Sequence, residues 1–285
     1  MKQRVLVTGA SGYIGRHVVD ELCKHDVDVY VSSLENEPIN DACTVVTAPI
    51  FDYSNPSLFD DLGRPDRVIH LAWRDGFNHQ SFTHFEDLPS HIRFVEMLSS
   101  NNVVSISAMG SMHEVGYWEG PITADTPANP LSYYGIAKNA FRQACMVIAS
   151  KTSTSIKWLR GYYITGDDER SVSIFGKITA AANRREKRFP FTSGANKYDF
   201  IDIHELSAQI VAASLQDEFD GIINCCSGNP VSLRERVEAF IADKGYDIEL
   251  EYGAFPDRPY DSPGVWGDPT VIQQRVNSYE PLPRI

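Results

Sequence analysis

Short apolar runs alternate with longer stretches of helical periodicity along the first half of the chain. Each short run predicts a buried strand, and apolar residues spaced three and four apart predict amphipathic helices between the strands. The predicted strands are 4–8, 27–31, 44–48, 67–72, 103–107 and 155–160, and the clearest predicted helices are 13–23, 86–100 and 132–150. Strand and helix alternating in this way predict an α/β fold with a doubly wound parallel sheet.

The composition changes after Gly161, where glycine, proline and aromatic residues become frequent, as in 161–169, 188–194 and 253–269. We therefore predict a first domain over residues 1–160 and a smaller, loop-rich C-terminal lobe formed mainly by 161–285. A strand–helix pattern near 198–224 is predicted to return to the main sheet.

Charge and composition narrow the possible partners. The 285 residues carry a formal net charge of −12, and because nucleic acid needs a basic face, we expect no nucleic-acid partner. The apolar run at the start is too short for a signal peptide, and no run approaches the roughly 20 apolar residues of a membrane span. We therefore expect a soluble cytoplasmic protein. The five cysteines form no CxxC pair, so we expect incidental thiols and no metal site.

Three glycines with GxxGxxG spacing follow the first predicted strand and open the first predicted helix. Gly9 permits a tight turn, Gly12 lets the backbone approach a pyrophosphate, and Gly15 lets the helix pack close to the strand. The start of the helix then offers N–H groups and a partial positive charge to phosphates. This context predicts a Rossmann-type dinucleotide site.

The end of the second predicted strand distinguishes between the two nicotinamide cofactors. An acidic residue there would bind the ribose 2′-hydroxyl and favour NAD. Here the strand runs into Ser32 and Ser33, and the nearest acid, Glu35, comes late. Serine hydroxyls can bind either a hydroxyl or a 2′-phosphate, so we expect NADP or NAD, with NADP preferred.

Tyr134 and Lys138 lie four residues apart in a predicted helix and therefore on one face of it. A free tyrosine has a pKa near 10. A nearby ammonium group and the positive nicotinamide ring favour the phenolate, so we expect the pKa of Tyr134 to be lowered. Tyr133 lies about 100° around the helix and is the weaker candidate.

In these and further motifs the chain resembles the extended short-chain dehydrogenases, the family of nucleotide-sugar epimerases, dehydratases and reductases. The matching motifs are TGASGYIG at 8–15, VIHLAW at 68–73, YYGIAK at 133–138, YDFIDIHEL at 198–206, GIINCCSG at 221–228 and RPYDSPGVWGD at 258–268. The cofactor-binding residues that the resemblance implies are Gly9, Ser11, Gly12, Tyr13, Ile14, Gly15, Ser32, Ser33, Asp52, Leu71, Ala72, Tyr134 and Lys138.

The resemblance also implies a third catalytic residue, Ser111, five residues before Gly116, which would hydrogen-bond the reacting oxygen of the substrate. The implied substrate-binding residues are Trp73, Ser111, His113, Tyr134, Lys197 and Arg258. Arg258 would bind the nucleotide diphosphate through its planar fork. The sequence departs from the family pattern at two positions: Tyr198 replaces an expected arginine and Tyr163 an expected asparagine.

The resemblance suggests reduction rather than elimination or epimerisation. Dehydratases of the family place acids directly after the Ser/Thr, whereas Met112 and His113 follow here, and we interpret Glu114 as packing in the turn. Epimerases carry the strand-two acid that is missing. We therefore predict a reductase for the 4-keto group of a nucleotide-activated 6-deoxyhexose, forming dTDP-fucose for surface polysaccharide synthesis.

Two alternatives remain open. One is an NAD-dependent nucleotide-sugar 4-epimerase. The other is a dinucleotide-binding regulator without activity, against which the intact Ser111, Tyr134 and Lys138 argue. We also expect a homodimer, because the helices near 86–100 and 132–150 resemble those that pair in dimers of the family.

Overall fold

The computed structural model describes residues 2–32, 39–166, 173–257, 262–274 and 276. Its strands are β1 (Gln3–Thr8), β2 (Val27–Ser32), β3 (Thr44–Val46), β4 (Arg67–His70), β5 (Ser105–Ser111), β6 (Gly120–Ile122), β7 (Ser155–Gly161), β8 (Tyr163–Thr165), β9 (Arg188–Pro190), β10 (Lys197–Asp202), β11 (Gly221–Cys225), β12 (Pro230–Ser232), β13 (Glu249–Glu251) and β14 (Gly264–Gly267). Its helices are α1 (Tyr13–Leu22), α2 (Leu58–Asp61), α3 (Thr83–Ser100), α4 (Tyr133–Ala149), α5 (Ile174–Asn183), α6 (Ile203–Leu215), α7 (Leu233–Asp243) and α8 (Thr270–Gln274), with a 3-10 turn at Met112–Glu114.

Seven parallel strands form the main sheet in the order β3-β2-β1-β4-β5-β7-β11. Helices cover both faces, because α1 packs against α6 and α3 packs against α4 in two separate core clusters. Successive side chains of a strand point to opposite faces: Val5 and Val7 of β1 join the first cluster and Leu6 joins the second. The predicted doubly wound, Rossmann-type parallel sheet is confirmed.

A second, mixed sheet is built mostly from the C-terminal half. It has the order β12-β10-β14-β6, and β8 pairs with β10 outside this path. The predicted return of 198–224 to the main sheet therefore holds for α6 and β11 but is wrong for β10. The division of the chain into lobes at residue 161 stays a prediction.

Several element boundaries differ from those predicted, by one to four residues, and the largest difference concerns the site. β5 continues to Ser111 instead of ending near 107, because it pairs with β7 residue by residue as far as Ser111 opposite Gly161. Pairing with β7 therefore extends β5 through its small residues, and Ser111 becomes the last residue of β5. Helix α3 begins at Thr83, three residues before the predicted start.

The carboxyl edge of the main sheet collects the predicted site residues. The glycine turn follows β1, Ser32 ends β2, residues 71–73 follow β4 and Ser111 ends β5. Ligands of open parallel sheets bind at this edge. Within the described ranges, no helix is long and apolar enough to cross a membrane, and no group of histidine, cysteine and acidic side chains could hold a metal ion.

Candidate active site

The glycine turn after β1 is closely packed. Gly9 has a φ of +68°, and a Cβ there would lie 2.6 Å from the backbone nitrogen of Ala72. A Cβ on Gly15 would lie 2.1 Å from the carbonyl oxygen of Gly9. Only glycine fits at both positions, so α1 begins directly against the turn. No side chain caps the start of α1, which leaves the positive end of the helix dipole for an anion.

A cavity of about 510 Å³ opens beside this turn. It is lined by Gly9, Ser11, Ser32, Pro49, Ile50, Phe51, Ala72, Trp73, Arg74, Asp87 and His91. The structure therefore brings four of the predicted cofactor-binding residues, Gly9, Ser11, Ser32 and Ala72, to one cavity. The position of these four small residues beside a helix N-terminus fits a dinucleotide.

Other predicted cofactor residues lie elsewhere. Ile14 and Leu71 are partly buried, and their side chains pack against the hydrophobic core. The phenol of Tyr13 donates a hydrogen bond to the carbonyl of Gly166. The Asp52 carboxylate accepts hydrogen bonds from the backbone and hydroxyl of Ser54 and so stabilises its own turn. Ser33 lies outside the described residues.

Ser111, Tyr134 and Lys138 come together at the end of β5 and the start of α4. Ser132 caps α4 by accepting a hydrogen bond from Gly135 N at 3.1 Å, which puts Tyr134 in the first turn and Lys138 one turn later. The Ser111 hydroxyl lies beside the Tyr134 phenol and opposes the rise of its pKa. The Lys138 Nζ donates to the Met109 carbonyl at 2.8 Å and lies 5.8 Å from the centroid of the Tyr134 ring.

Burial dominates the electrostatics of this pair. It raises the pKa of Tyr134 to about 12, so the predicted lowering by Lys138 is wrong for the protein alone. Burial also lowers the pKa of Lys138 to about 7, against the opposing charge of Glu114. A lysine that is only partly charged near neutral pH gives the phenol little help.

Tyr133, the alternative to Tyr134, points away from the site. Its side chain is 42% exposed, and its ring contacts Phe82 and Phe85. The 100° step between neighbouring helix residues separates the two tyrosines as expected.

A second cavity, of about 570 Å³, opens over the phenol of Tyr134. Ser111, His113 and Tyr134 line it, together with Phe77, His79, Tyr163, Tyr198 and Phe200 among others. None of its described lining residues is a lysine or an arginine. The two departures from the family pattern meet here, because the ring centroids of Tyr163 and Tyr198 are 4.6 Å apart.

His79 contacts the candidate catalytic tyrosine and was missed by the sequence reasoning. Its ring is stacked on Tyr134 at 4.9 Å between centroids, and His113 lies 4.3 Å away. Burial and His84 lower the pKa of His79, and burial and His79 lower that of His113 to about 3. Both rings are therefore neutral near pH 7. His79 comes from the loop between β4 and α3, where no periodicity marks it.

The predicted cationic contacts to the diphosphate are not present among the described lining residues. Lys197 is exposed on β10 and lines neither this cavity nor the one beside the glycine turn. Arg258 lies outside the described residues.

Glu114 is the last residue of the 3-10 turn and has no exposed surface. Its carboxylate accepts hydrogen bonds from Arg160 Nε at 2.5 Å and from Trp158 Nε1 at 2.9 Å. The sequence-based interpretation of Glu114 was packing in the turn. In the structure Glu114 forms a buried ion pair with Arg160 and does not line the cavity over Tyr134.

Trp73 was predicted to line the sugar pocket, but the structure puts it in the cavity beside the glycine turn. Its indole lies under the Lys138 ammonium and stacks on His91. The position directly after β4 explains this, because the strand ends at the dinucleotide edge of the sheet.

The family model described as the NAD dependent epimerase/dehydratase family matches residues 5–226. The chain therefore belongs to this family. It is 43% identical over 267 residues to a dTDP-6-deoxy-L-talose 4-dehydrogenase (NAD(+)) of Aggregatibacter actinomycetemcomitans, which covers 92% of this chain and 98% of the relative. It is 27% identical to a probable UDP-arabinose 4-epimerase 1 of Oryza sativa subsp. japonica over 96% of this chain and 74% of that one.

Solved structures agree on the fold. MoeE5 in complex with UDP-glucose and NAD superposes with a TM-score of 0.82 at 23% identity, covering 99% of this chain and 94% of that one. A UDP-N-acetylglucosamine 4-epimerase from Methanobrevibacter ruminantium M1 gives a TM-score of 0.83 at 21% identity, with 99% and 94% covered. At these identities the likeness bears on the fold alone.

Proposed function

We propose that the protein is an NAD-dependent oxidoreductase that reduces the 4-keto group of a dTDP-activated 6-deoxyhexose, for surface polysaccharide synthesis. One observation carries the proposal: Ser111 and Tyr134 line the cavity over Tyr134, and Tyr134 and Lys138 both contact Trp73, which lines the cavity of the glycine turn. A dinucleotide in the first cavity and a sugar in the second would share this junction.

Each residue has a defined part in this reaction. NADH, held beside the glycine turn by Gly9, Ser11 and Ser32, would supply a hydride to the carbonyl carbon. Tyr134 donates its phenolic proton to the C4 oxygen, and the Ser111 hydroxyl hydrogen-bonds the same oxygen while it gains negative charge. Lys138, when its side chain is protonated, stabilises the phenolate that Tyr134 becomes.

We propose NAD rather than NADP as the cofactor. The sequence-based preference for NADP finds no support in the family or in the 43%-identical relative, whose name includes NAD(+). Among the described lining residues of the dinucleotide cavity the one cation is Arg74, and both Asp87 oxygens bind it, at 2.6 and 2.7 Å. An arginine already neutralised in this way is a poor ligand for a 2′-phosphate.

The chemistry of the second cavity supports a deoxysugar. Phe77, Tyr163 and Tyr198 give it aromatic walls, and none of its described lining residues is cationic. Such walls suit the 6-methyl group of a deoxyhexose better than a carboxylate. On the 43% identity we rank 6-deoxy-L-talose ahead of fucose as the sugar of the product.

The test follows the absorbance of reduced nicotinamide with dTDP-4-keto-6-deoxyhexoses, supplied with NADH or NADPH in parallel. We expect stoichiometric oxidation of NADH and a 6-deoxy product, with slower turnover on keto-sugars that carry a 6-hydroxyl. Interconversion of two 4-hydroxy sugar nucleotides without net cofactor turnover would instead establish the 4-epimerase. No reaction with any keto-sugar, together with no interconversion of 4-hydroxy sugar nucleotides, would refute both.

A further inference from the structure

Trp73 contacts both members of the proposed catalytic pair from the side of the dinucleotide cavity. The Lys138 Nζ lies 3.7 Å from the centroid of the indole, over its face. The Tyr134 ring meets the indole edge-on, with 6.3 Å between centroids. His91 stacks on the indole at 4.4 Å with an interplanar angle of 20°. Trp73 is thus packed against the group that has to carry a positive charge.

Hydrogen bonds fix the orientation of this indole. Trp73 Nε1 donates to His84 Nδ1 at 3.1 Å. Because Nδ1 accepts, the ring proton of His84 is on Nε2, which donates to the carbonyl of Asn78 at 3.0 Å. The Trp73 indole therefore cannot turn without losing its hydrogen bond to His84, and the face of the indole stays towards Lys138.

The surroundings of Lys138 provide little other support for a charge. The side chain is 3% exposed, and its one hydrogen bond among the described residues goes to the Met109 carbonyl. The ionisable groups that face it are Tyr134 and Cys145 on α4, His70 on β4, His91 on α3 and Glu114 on the 3-10 turn. Of these Glu114 is the one carboxylate, and Arg160 already pairs with it.

We propose that Trp73 is a positioning residue, whose ring face stabilises the Lys138 ammonium by a cation–π interaction and holds it beside Tyr134. The negative face of an aromatic ring attracts a cation most strongly where water is excluded, and tryptophan is the strongest of the aromatic side chains. The assignment rests on the proposed catalytic role of Lys138, which burial alone would leave poorly charged.

The test measures the titration of Lys138 directly. The protein is labelled with ¹³C at the lysine ε-carbons, the Lys138 signal is assigned by its loss in Lys138→Met, and the chemical shift is followed against pH. Trp73→Leu removes the π face, so the charged form loses support and the pKa of Lys138 falls by about one unit. In Trp73→Phe the pKa of Lys138 lies between the values of Trp73→Leu and the wild type. Trp118→Leu is the matched control, because Trp118 lies away from Lys138. It should leave the pKa of Lys138 unchanged.

A second measurement covers the case in which Trp73→Leu does not fold. Tryptophan with an increasing number of fluorine atoms, placed at position 73 alone, keeps the ring shape while weakening the negative face. The pKa of Lys138 falls stepwise with each fluorine if the proposal is right. A pKa that does not depend on fluorination, or that is the same in Trp73→Leu and wild type, overturns it.

The titration needs no substrate, so it separates this proposal from the proposed function. If keto-sugars are not reduced but the pKa of Lys138 follows the ring at position 73, the positioning role stands and the assigned reaction fails. If they are reduced, Trp73→Phe should lower kcat near neutral pH and leave KM for the sugar nucleotide nearly unchanged, because Trp73 does not line the second cavity.

Discussion

Burial and neighbours, more than residue type, set the chemistry of single side chains at the candidate site. Two tyrosines are adjacent in the sequence, yet Tyr133 is 42% exposed while burial raises the pKa of Tyr134 to about 12. The high pKa keeps the Tyr134 phenol protonated, as a proton donor in a reduction requires. The cation that assists it, Lys138, has a pKa lowered by burial to about 7.

At this scale we predict that Tyr134→Phe abolishes most of the activity while preserving the fold. The substitution removes the only proton of the side chain and keeps its ring, and loss of general acid catalysis typically lowers the rate by about 10² to 10⁴. The measurement is kcat with a keto-sugar nucleotide, alongside the binding affinity for NADH, which should change little.

Tyr133→Phe is the matched control and should lose far less activity, because its ring packs against Phe82 and Phe85 outside the cavity. Near-full turnover by Tyr134→Phe together with loss in Tyr133→Phe would show that the assigned motif register is wrong.

Elements position these side chains by close backbone approach. The start of α1 meets the turn after β1 at Gly15, and the start of α4 meets the 3-10 turn at Gly135, where a Cβ would lie 2.3 Å from the His113 carbonyl. Glycine at each contact lets a helix approach closely enough to bring its first turn to the carboxyl edge of the sheet.

At the scale of elements we predict that Gly15→Ala weakens NAD binding by at least tenfold. Its Cβ would lie 2.1 Å from the Gly9 carbonyl and 2.8 Å from the Ala10 Cα, so α1 must move away from the turn that would hold the pyrophosphate. Isothermal titration with NADH measures the effect.

The control for this variant is Gly264→Ala on β14, where the nearest atoms to a new Cβ are at an ordinary 3.7 Å. Its affinity for NADH should match that of the wild type. Equal affinities for Gly15→Ala and wild type would contradict the role given to this contact.

Two properties belong to the whole molecule: its assembly and its stability against acid. Large apolar side chains are exposed along α4, with Tyr133 at 42%, Ile136 at 40% and Val147 at 52%. A row of exposed apolar side chains on one helix of a charged protein favours pairing between two copies of the chain. The homodimer expected from the sequence is retained as a proposal on this basis.

We predict that Val147→Glu makes the protein monomeric while leaving its fold intact, because it introduces a charge into the proposed interface. Light scattering at micromolar concentration measures the mass. Val104→Glu, at a 46% exposed position outside α4, should leave the dimer in place. A wild-type monomer would refute the proposed assembly.

Four histidines that are buried or partly buried lead us to predict lower stability in mild acid. Burial lowers the pKa values of His70, His79, His91 and His113, the last two to about 3. Between pH 6.5 and about 3 the unfolded chain therefore binds protons that the folded protein does not. The stabilisation is complete above pH 6.5 and falls as the pH drops, by about 1.4 kcal/mol per pH unit for each fully buried histidine.

Urea unfolding midpoints between pH 7 and pH 5 test this prediction. The midpoint should fall over that range, and His113→Asn should flatten the decline, whereas the exposed His25→Asn should follow the wild type. A midpoint that is independent of pH would show that these rings are not kept neutral by the fold.

The sequence by itself determined the main sheet, the glycine turn and the spacing of Tyr134 and Lys138, because these depend on local periodicity and on contacts a few residues apart. Only the tertiary structure decided the rest. It extended β5 to Ser111 through pairing with β7 and moved Trp73 to the dinucleotide side, under Lys138. It also brought His79 onto Tyr134 from a loop without periodicity and buried Glu114 against Arg160. These contacts join residues that are far apart in the chain. The pKa values of the site side chains depend on burial, which a local sequence pattern does not predict.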